Sequence, residues 1–281
     1  MAVVTGATSG LGREIARGLA LEGFTVVVVG RGEARARETA QSLVRESGNP
    51  RIESVGVADL ALQSEVRPLA DLLLARYPTI HVLVNNAGGY FARRDVTSEG
   101  FERTFALNVL APYLLTSLLA ERLKSSAPAR VVNLSSAAHY RHHVDFDDLQ
   151  SSRHYAGFTT YGRSKLELLL LTRAFAREFA GSGVTVNAVH PGFVHSGFGR
   201  NNGGAVGFGI HVAGLLFGKS VRRGAKTPLL VASAPSLATV SGEYFSGGRV
   251  HAGDPASRDP AAAERLLRAC AELVATPPRR S

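Results

Sequence analysis

Short apolar runs alternate with stretches of helical spacing along the first two-thirds of the chain. Ala2–Val4, Thr25–Val29, Arg51–Val57, His81–Val84, Arg130–Leu134 and Val184–Val189 are brief and rich in valine, which predicts buried strands. Leu11–Leu21, Glu33–Glu46, Leu62–Arg76, Phe101–Lys124 and Thr160–Phe179 lie between them with apolar residues three and four apart, which predicts helices. This order predicts an α/β fold: a doubly wound parallel sheet with helices on both faces, in three α/β/α layers. After Asp254 a Pro-containing turn leads into an Ala/Leu/Arg helix ending near Val274, and residues 276–281 read as a frayed tail. No repeat of solenoid length interrupts the pattern, so residues 1–275 are expected to form a single domain.

Composition adds little to the fold but excludes several functions. With 281 residues, 45% hydrophobic and 20% charged, the chain can bury one full core. Cys270 is the one cysteine, so neither an intramolecular disulfide nor a cysteine metal site is available, and a cytoplasmic protein is expected. The net charge of +9 comes from 32 basic residues, 28 of them Arg, scattered without a run longer than Arg-Arg. Such scatter points to genome composition rather than to a nucleic-acid surface. His142, His143, Asp145, Asp147 and Asp148 resemble a metal cluster, yet adjacent histidines on a loop rarely converge on one ion, and no metal is expected. Met1–Thr5 runs straight into a glycine turn, unlike a secretory leader. The uncharged stretch from Gly203 to Gly218 contains six Gly and is too short for a bilayer. It reads as a mobile apolar loop, and no integral membrane segment is expected.

Thr5-Gly6-Ala7-Thr8-Ser9-Gly10-Leu11-Gly12 joins the first strand to the first helix. Glycines there allow a tight turn and let the backbone approach a pyrophosphate seated on the helix N-terminus. The spacing GxxxGxG departs from the usual GxGxxG, so the position between strand and helix carries the dinucleotide reading. The second strand ends Val29-Gly30-Arg31-Gly32, without the acidic residue that holds a ribose diol, and Glu33 is expected to begin the next helix. The planar fork of Arg31 suits a 2′-phosphate, with Arg13 either helping or solvated, so NADP(H) is expected over NAD(H).

Tyr161 and Lys165 are four apart and share one face of a helix. An ammonium beside a phenol should lower the phenol's pKa from about 10, making Tyr161 a general acid for carbonyl reduction and a base in reverse. Ser136 stands at the C-terminal end of the fifth strand, where open parallel sheets hold their ligands. Its hydroxyl can stabilise developing alkoxide charge, and Ser135 is the competing candidate.

Taken in chain order, the TGxxxGxG turn of Thr5–Gly12, Asp59-Leu60, Asn85-Asn86-Ala87-Gly88, Asn108, Ser136 closing Asn133–Ser136, Tyr161-Gly-Arg-Ser-Lys165 and Pro191-Gly192 resemble the short-chain dehydrogenase/reductase family. The resemblance spans most of the chain and implies a single-domain Rossmann-type fold. It implies that Gly6, Thr8, Ser9, Gly10, Leu11 and Gly12 cradle the nucleotide, and that Asp59 and Leu60 contact adenine. Asn86, Ala87 and Gly88 would line the cofactor, with Pro191, Gly192 and Val194 near the nicotinamide carboxamide. Lys165 would hold the nicotinamide ribose, and the family motif favours Ser136 over Ser135. Asn108 would support a water relaying protons to Lys165, or be bonded to backbone, or both. His190 and His195 read as pocket-wall residues.

The segment before Tyr161 with Asp147-Asp148-Leu149-Gln150 and Tyr155, then Gly224–Pro228 and Ser241–Phe245, resembles the retinol-dehydrogenase-like branch of that family. Two departures are the lack of an N-terminal membrane segment and of any Trp in the final helix. In this family residues about 193–223 form a substrate lid, here apolar and Gly-rich, which suits a hydrophobic ketone or aldehyde. The resemblance thus implies NADPH-dependent interconversion of such a compound and its alcohol. The alternative is a non-catalytic NADP(H) sensor, but sensors commonly lose the Tyr or Lys kept here. Epimerase or dehydratase action would normally need a larger substrate domain. Family relatives often pair through the helices at Asn108–Lys124 and Thr160–Phe179, which implies a homodimer or homotetramer; burial within one subunit explains the run Leu168–Leu171 equally well.

Overall fold

The computed structural model describes residues 1–57, 59–194, 202 and 220–275. Its strands are β1 (Ala2–Thr5), β2 (Val26–Arg31), β3 (Ile52–Val57), β4 (Val82–Asn85), β5 (Ala129–Leu134), β6 (Val184–His190), β7 (Tyr244–Ser246) and β8 (Arg249–His251). They form one sheet in the order β3-β2-β1-β4-β5-β6-β7-β8. The six predicted strands are all present within one or two residues of their expected bounds. The predicted parallel sheet is present, and at its edge β8 is added antiparallel to β7. Gly247 and Gly248, both at positive φ, make the reversal between them. Strands of three residues are too short to show a period, which is why the hairpin escaped the sequence pattern.

Continuous valine runs are needed because both faces of the sheet are buried. Val3, Val27, Val29 and Val131 point to one layer, while Val4, Val26, Val28 and Val132 point to the other. The second layer holds α1 (Gly10–Leu21), α2 (Glu33–Ser47) and α7 (Val221–Ser233), which bury Ile15, Leu19, Leu43 and Val231. The first holds α3 (Gln63–Arg76), α4 (residues 103–118), α6 (Gly157–Glu178) and α8 (Pro260–Ala275). Helix α4 is composite: Arg103–Phe105, a π turn over Ala106–Leu110, then Ala111–Leu118, followed by the short α5 (Ala120–Ser125). The predicted helix over Phe101–Lys124 is therefore interrupted twice. Helix α7 was not expected, since Gly224 and Pro228 both weaken a helix. Gly224 is needed there, because a Cβ would stand 2.5 Å from Val194 Cγ2.

Helix α8 lies along α6 and sinks Ala263, Leu266 and Cys270 into the core that holds Leu166 and Leu170. Leu168 to Leu171 are all buried within the single chain. Glu167, only 1% exposed, is carried into this interior with its Oε1 lacking a hydrogen bond among the described residues. Burial pushes its carboxyl up to about 8, opposed by Arg163 and reinforced by Glu102.

No helix among the described residues is long and apolar enough to cross a membrane. The Gly203–Gly218 stretch, most of the expected lid at 193–223, and the tail at 276–281 lie outside the described residues. Strand order reverses between β1 and β4, which opens a crevice at their C-terminal ends.

Candidate active site

Thr5 ties the two sides of this crevice together. Its Oγ1 accepts from the backbone N–H of Asn86 (3.1 Å) and Ala87 (3.0 Å), and Asn86 Nδ2 donates back to the Thr5 carbonyl (2.8 Å). The glycine turn and the loop after β4 thus share one set of hydrogen bonds. Gly6 is at φ +64°, and a Cβ on Gly12 would stand 2.3 Å from Asn86 Nδ2 and 2.4 Å from the Gly6 carbonyl. A Cβ on Gly30 would meet Thr8 Cγ2 at 2.1 Å. Helix α1 starts at Gly10 behind Ser9, whose side chain caps no amide, and its first turn carries no acidic residue. The positive helix end is left for an anion, and the glycine cradle fits the backbone-lined seat that a dinucleotide pyrophosphate requires.

The two candidate arginines differ in availability. Arg13 is held by Glu46 and by Ser42 (3.0 Å). Arg31 is exposed at the end of β2, engaged by no hydrogen bond or ion pair among the described residues. Beside it Gly32, at φ +76°, borders open space. Glu33 begins α2 as expected, and its Oε2 accepts from the Gly56 N–H (2.8 Å), turned toward β3. Asp59 is occupied: Arg103 Nη1 donates to its Oδ2 at 2.6 Å and the Ala61 N–H to its Oδ1 at 3.0 Å. Leu60 packs its side chain into the core. Pro191 and Gly192 follow β6, and Val194 meets α7 near Leu11.

Deeper in the crevice, buried amides build the floor. Asn85 Nδ2 donates to Asn133 Oδ1 (2.8 Å) and Thr116 Oγ1 (3.1 Å), and Asn133 Nδ2 donates to Thr172 Oγ1 (2.9 Å). Asn108 sits fully buried in the π turn of α4, a departure from regular helix that often marks functional sites. Its Oδ1 accepts from the Gly89 N–H (2.8 Å), while its Nδ2 donates to the Gly89 carbonyl and to Ser164 Oγ (both 2.9 Å). Asn108 and Lys165 approach each other at Gly88, where a Cβ would lie 3.1 Å from Asn108 Oδ1 and 3.3 Å from Lys165 Nζ.

Helix α6 presents Tyr161 and Lys165 on one face. Lys165 Nζ donates to the Leu134 carbonyl (3.0 Å) and lies 5.6 Å from the Tyr161 ring centroid. Ser135 donates to the Lys165 carbonyl (3.0 Å), whereas the Ser136 side chain lies near enough to the Tyr161 hydroxyl to favour its charged form. The second serine is therefore the one that meets the tyrosine. The expected acidification of the phenol is reversed in this structure. Burial pushes Tyr161 up to about 12, with the Ser136 side chain opposing, and pushes Lys165 down to about 8. Desolvation penalises both charged forms, and the ammonium is directed at a carbonyl rather than at the phenol oxygen.

Several contributors had no sequence signal. His139 is fully buried, and because Asp254 N–H donates to its Nε2 (3.0 Å), its Nδ1 carries the proton and donates to the Ser136 carbonyl (2.6 Å). Burial lowers its pKa, in keeping with the neutral form. Tyr90 sets its ring edge-on to Tyr161 at 6.1 Å. His190 Nδ1 accepts from the Ala137 N–H (3.2 Å), a wall position, and His195 lies outside the described residues. Among the acidic loop residues, Asp148 accepts from Ser152 and Arg153 backbone amides and Asp147 faces Arg265.

The family model described as short chain dehydrogenase matches residues 1–205. Retinol dehydrogenase 12 of Mus musculus is 40% identical over 275 residues, covering 97% of this chain and 85% of that protein. A crystal structure of an uncharacterized protein from Mycobacterium Paratuberculosis superposes with a TM-score of 0.78 at 28% identity, over 99% of this chain and 94% of that one. A short-chain dehydrogenase from Sphingobium yanoikuyae in complex with NADPH superposes with a TM-score of 0.68 at 25% identity, over 98% and 94%.

Proposed function

The chain belongs to the short-chain dehydrogenase/reductase family, on its retinol-dehydrogenase-like branch, and we propose that it interconverts a hydrophobic ketone or aldehyde and the matching alcohol with NADP(H). Membership makes it an oxidoreductase that uses a nicotinamide cofactor on a small molecule. The observation that carries the finer reading is the meeting of Ser136, Tyr161 and Lys165 at one end of the sheet.

When bound, the nicotinamide supplies or takes up the hydride. Ser136 donates a hydrogen bond to the substrate oxygen, and Tyr161 passes its proton to that oxygen as charge builds on it. Lys165, held by the Leu134 carbonyl, adds positive charge beside the phenol and binds the nicotinamide ribose. Asn108 fixes Gly89 and orients the helix turn that carries Tyr161 through Ser164, which donates to the Tyr161 carbonyl (2.7 Å). The glycine cradle of Gly6, Gly10 and Gly12 takes the pyrophosphate, Asn86, Ala87 and Gly88 line the cofactor, and Arg31 takes the 2′-phosphate.

The preference for NADP(H) rests on the unengaged Arg31 and on Glu33 being turned to β3. The preference for an apolar substrate rests on aromatic residues of the segments that carry the site: Tyr90 and Phe91 on the loop after β4, Phe158 (65% exposed) in the first turn of α6 and Phe193 (49% exposed) after β6. We place the activity in the cytoplasm, in keeping with the free Cys270 thiol. A non-catalytic nucleotide sensor is the rival reading, and the contact between Ser136 and Tyr161 tells against it. The test is a panel of hydrophobic ketones and aldehydes offered with NADPH and, separately, NADH. Loss of nicotinamide absorbance with NADPH is expected; nucleotide binding without turnover would favour the sensor, and a clear NADH preference would refute the phosphate role of Arg31.

A further inference from the structure

The loop that leaves β4 reaches the crevice mouth over residues 88–92, and five of its backbone polar groups are held by side chains from elsewhere. Gly89 is held at both its N–H and its carbonyl by Asn108. Tyr155 donates its hydroxyl to the Phe91 carbonyl (2.8 Å). Two more backbone groups go to Asn202. Its Oδ1 accepts from the Ala92 N–H (2.5 Å), and its Nδ2 donates to the Tyr90 carbonyl (2.9 Å). One amide side chain thus bonds an acceptor and a donor two residues apart, as a neighbouring strand would. The residue it grips is the one whose ring stands edge-on to Tyr161.

We propose that Asn202 is a positioning residue that sets the Tyr90–Ala92 wall of the substrate site, and so the fit of the substrate beside Tyr161. The inference rests on the carbonyl-reductase reading for its kinetic consequence, though the clamp itself is a statement about two backbone groups. Asn108 sets the inner end of the wall and Asn202 its outer end, so loss of Asn202 leaves Gly89 in place while freeing Tyr90 and Ala92. An ordering effect of this kind acts on substrate fit more than on the proton transfer at Tyr161. The nucleotide cradle at Gly6 to Gly12 lies on the opposite side of Thr5 and is untouched.

Asn202→Ala tests this with two readouts on the full chain. Amide hydrogen exchange, resolved to single residues, should speed up by about tenfold or more at Ala92 while Gly89 stays protected. With the best carbonyl substrate of the panel, KM should rise roughly tenfold while kcat changes less than about threefold. NADPH affinity should stay within about twofold. Unchanged exchange at Ala92 overturns the clamp, and so does joint loosening of Gly89 and Ala92 with a lower melting temperature, which marks a general structural role. Faster exchange with unaltered KM overturns the substrate-positioning role. If the wild-type chain turns over no carbonyl compound, the functional reading fails, and the exchange comparison still decides whether Asn202 sets the wall.

Discussion

Glu167→Gln isolates the energetic weight of one buried carboxyl. The group lies on α6 against α8, with Arg163 one turn earlier, Glu102 adding negative charge and the Cys270 thiol facing it from α8. Burial raises it from 4.5 to about 8, so the folded chain keeps a proton that the unfolded chain releases above 4.5. Proton uptake favours the folded state at low pH, and this contribution is lost as pH rises from 4.5 through the folded value. Each pH unit in that window costs about 1.4 kcal/mol, which accumulates to about 3 kcal/mol at pH 7 and levels off at about 5 kcal/mol above pH 8. Glutamine keeps the shape and stays neutral, so it escapes the cost. Urea unfolding of wild type and variant from pH 4 to pH 8.5 reads the difference directly. The variant should match wild type near pH 4.5 and exceed it progressively above. A difference that is flat with pH, or a variant less stable throughout, would show that the carboxylate is satisfied and refute the reasoning.

Four further outcomes are expected. Tyr161→Phe should lower kcat by about 10²–10⁴ while NADPH affinity, followed by fluorescence titration, stays the same; retained turnover would remove the tyrosine from the chemistry. Arg31→Asp should weaken NADPH binding by about tenfold or more, the scale of one charge-assisted hydrogen bond, and spare NADH; equal effects on both would contradict the phosphate role. Gly12→Ala puts a methyl 2.4 Å from the Gly6 carbonyl and should abolish nucleotide binding in the same titration, whereas an unaltered affinity would mean the cradle lies elsewhere. His139 has its pKa lowered below 6.5 by burial, so it contributes stability above that value that is lost as pH falls toward its folded pKa. His139→Gln should remove that part of the acid-side decline in urea unfolding.

The alternation of valine runs with helical spacing made six strands and the layer order legible, because burial on both sheet faces leaves no other reading of Val26 to Val29. The last third was less legible. Helix α7 contains Gly224 and Pro228, and only its packing on Val194 and Leu11 explains the glycine. The β7–β8 hairpin is shorter than any periodicity. At the site, Tyr161, Lys165, Ser136 and Asn108 converge because their spacing along strand and helix ends is local geometry that motifs encode. The pKa direction at Tyr161 is not legible in the spacing, since desolvation depends on what covers the phenol. His139, Asn202 and Tyr90 were invisible for a related reason: each acts through backbone groups distant in the chain, such as Asp254 and Ala92.

Helix α8 comes after the eight described strands, yet its Ala263, Leu266 and Cys270 seal the flank where Leu166, Leu170 and Phe175 lie. During synthesis that flank stays oily until residues 260–275 clear the ribosome, even though the sheet and the crevice residues have already emerged. A nascent chain stalled or clipped before α8 would therefore hold Ser136, Tyr161 and Lys165, the proposed catalytic groups, and still be a client for chaperones rather than a working enzyme.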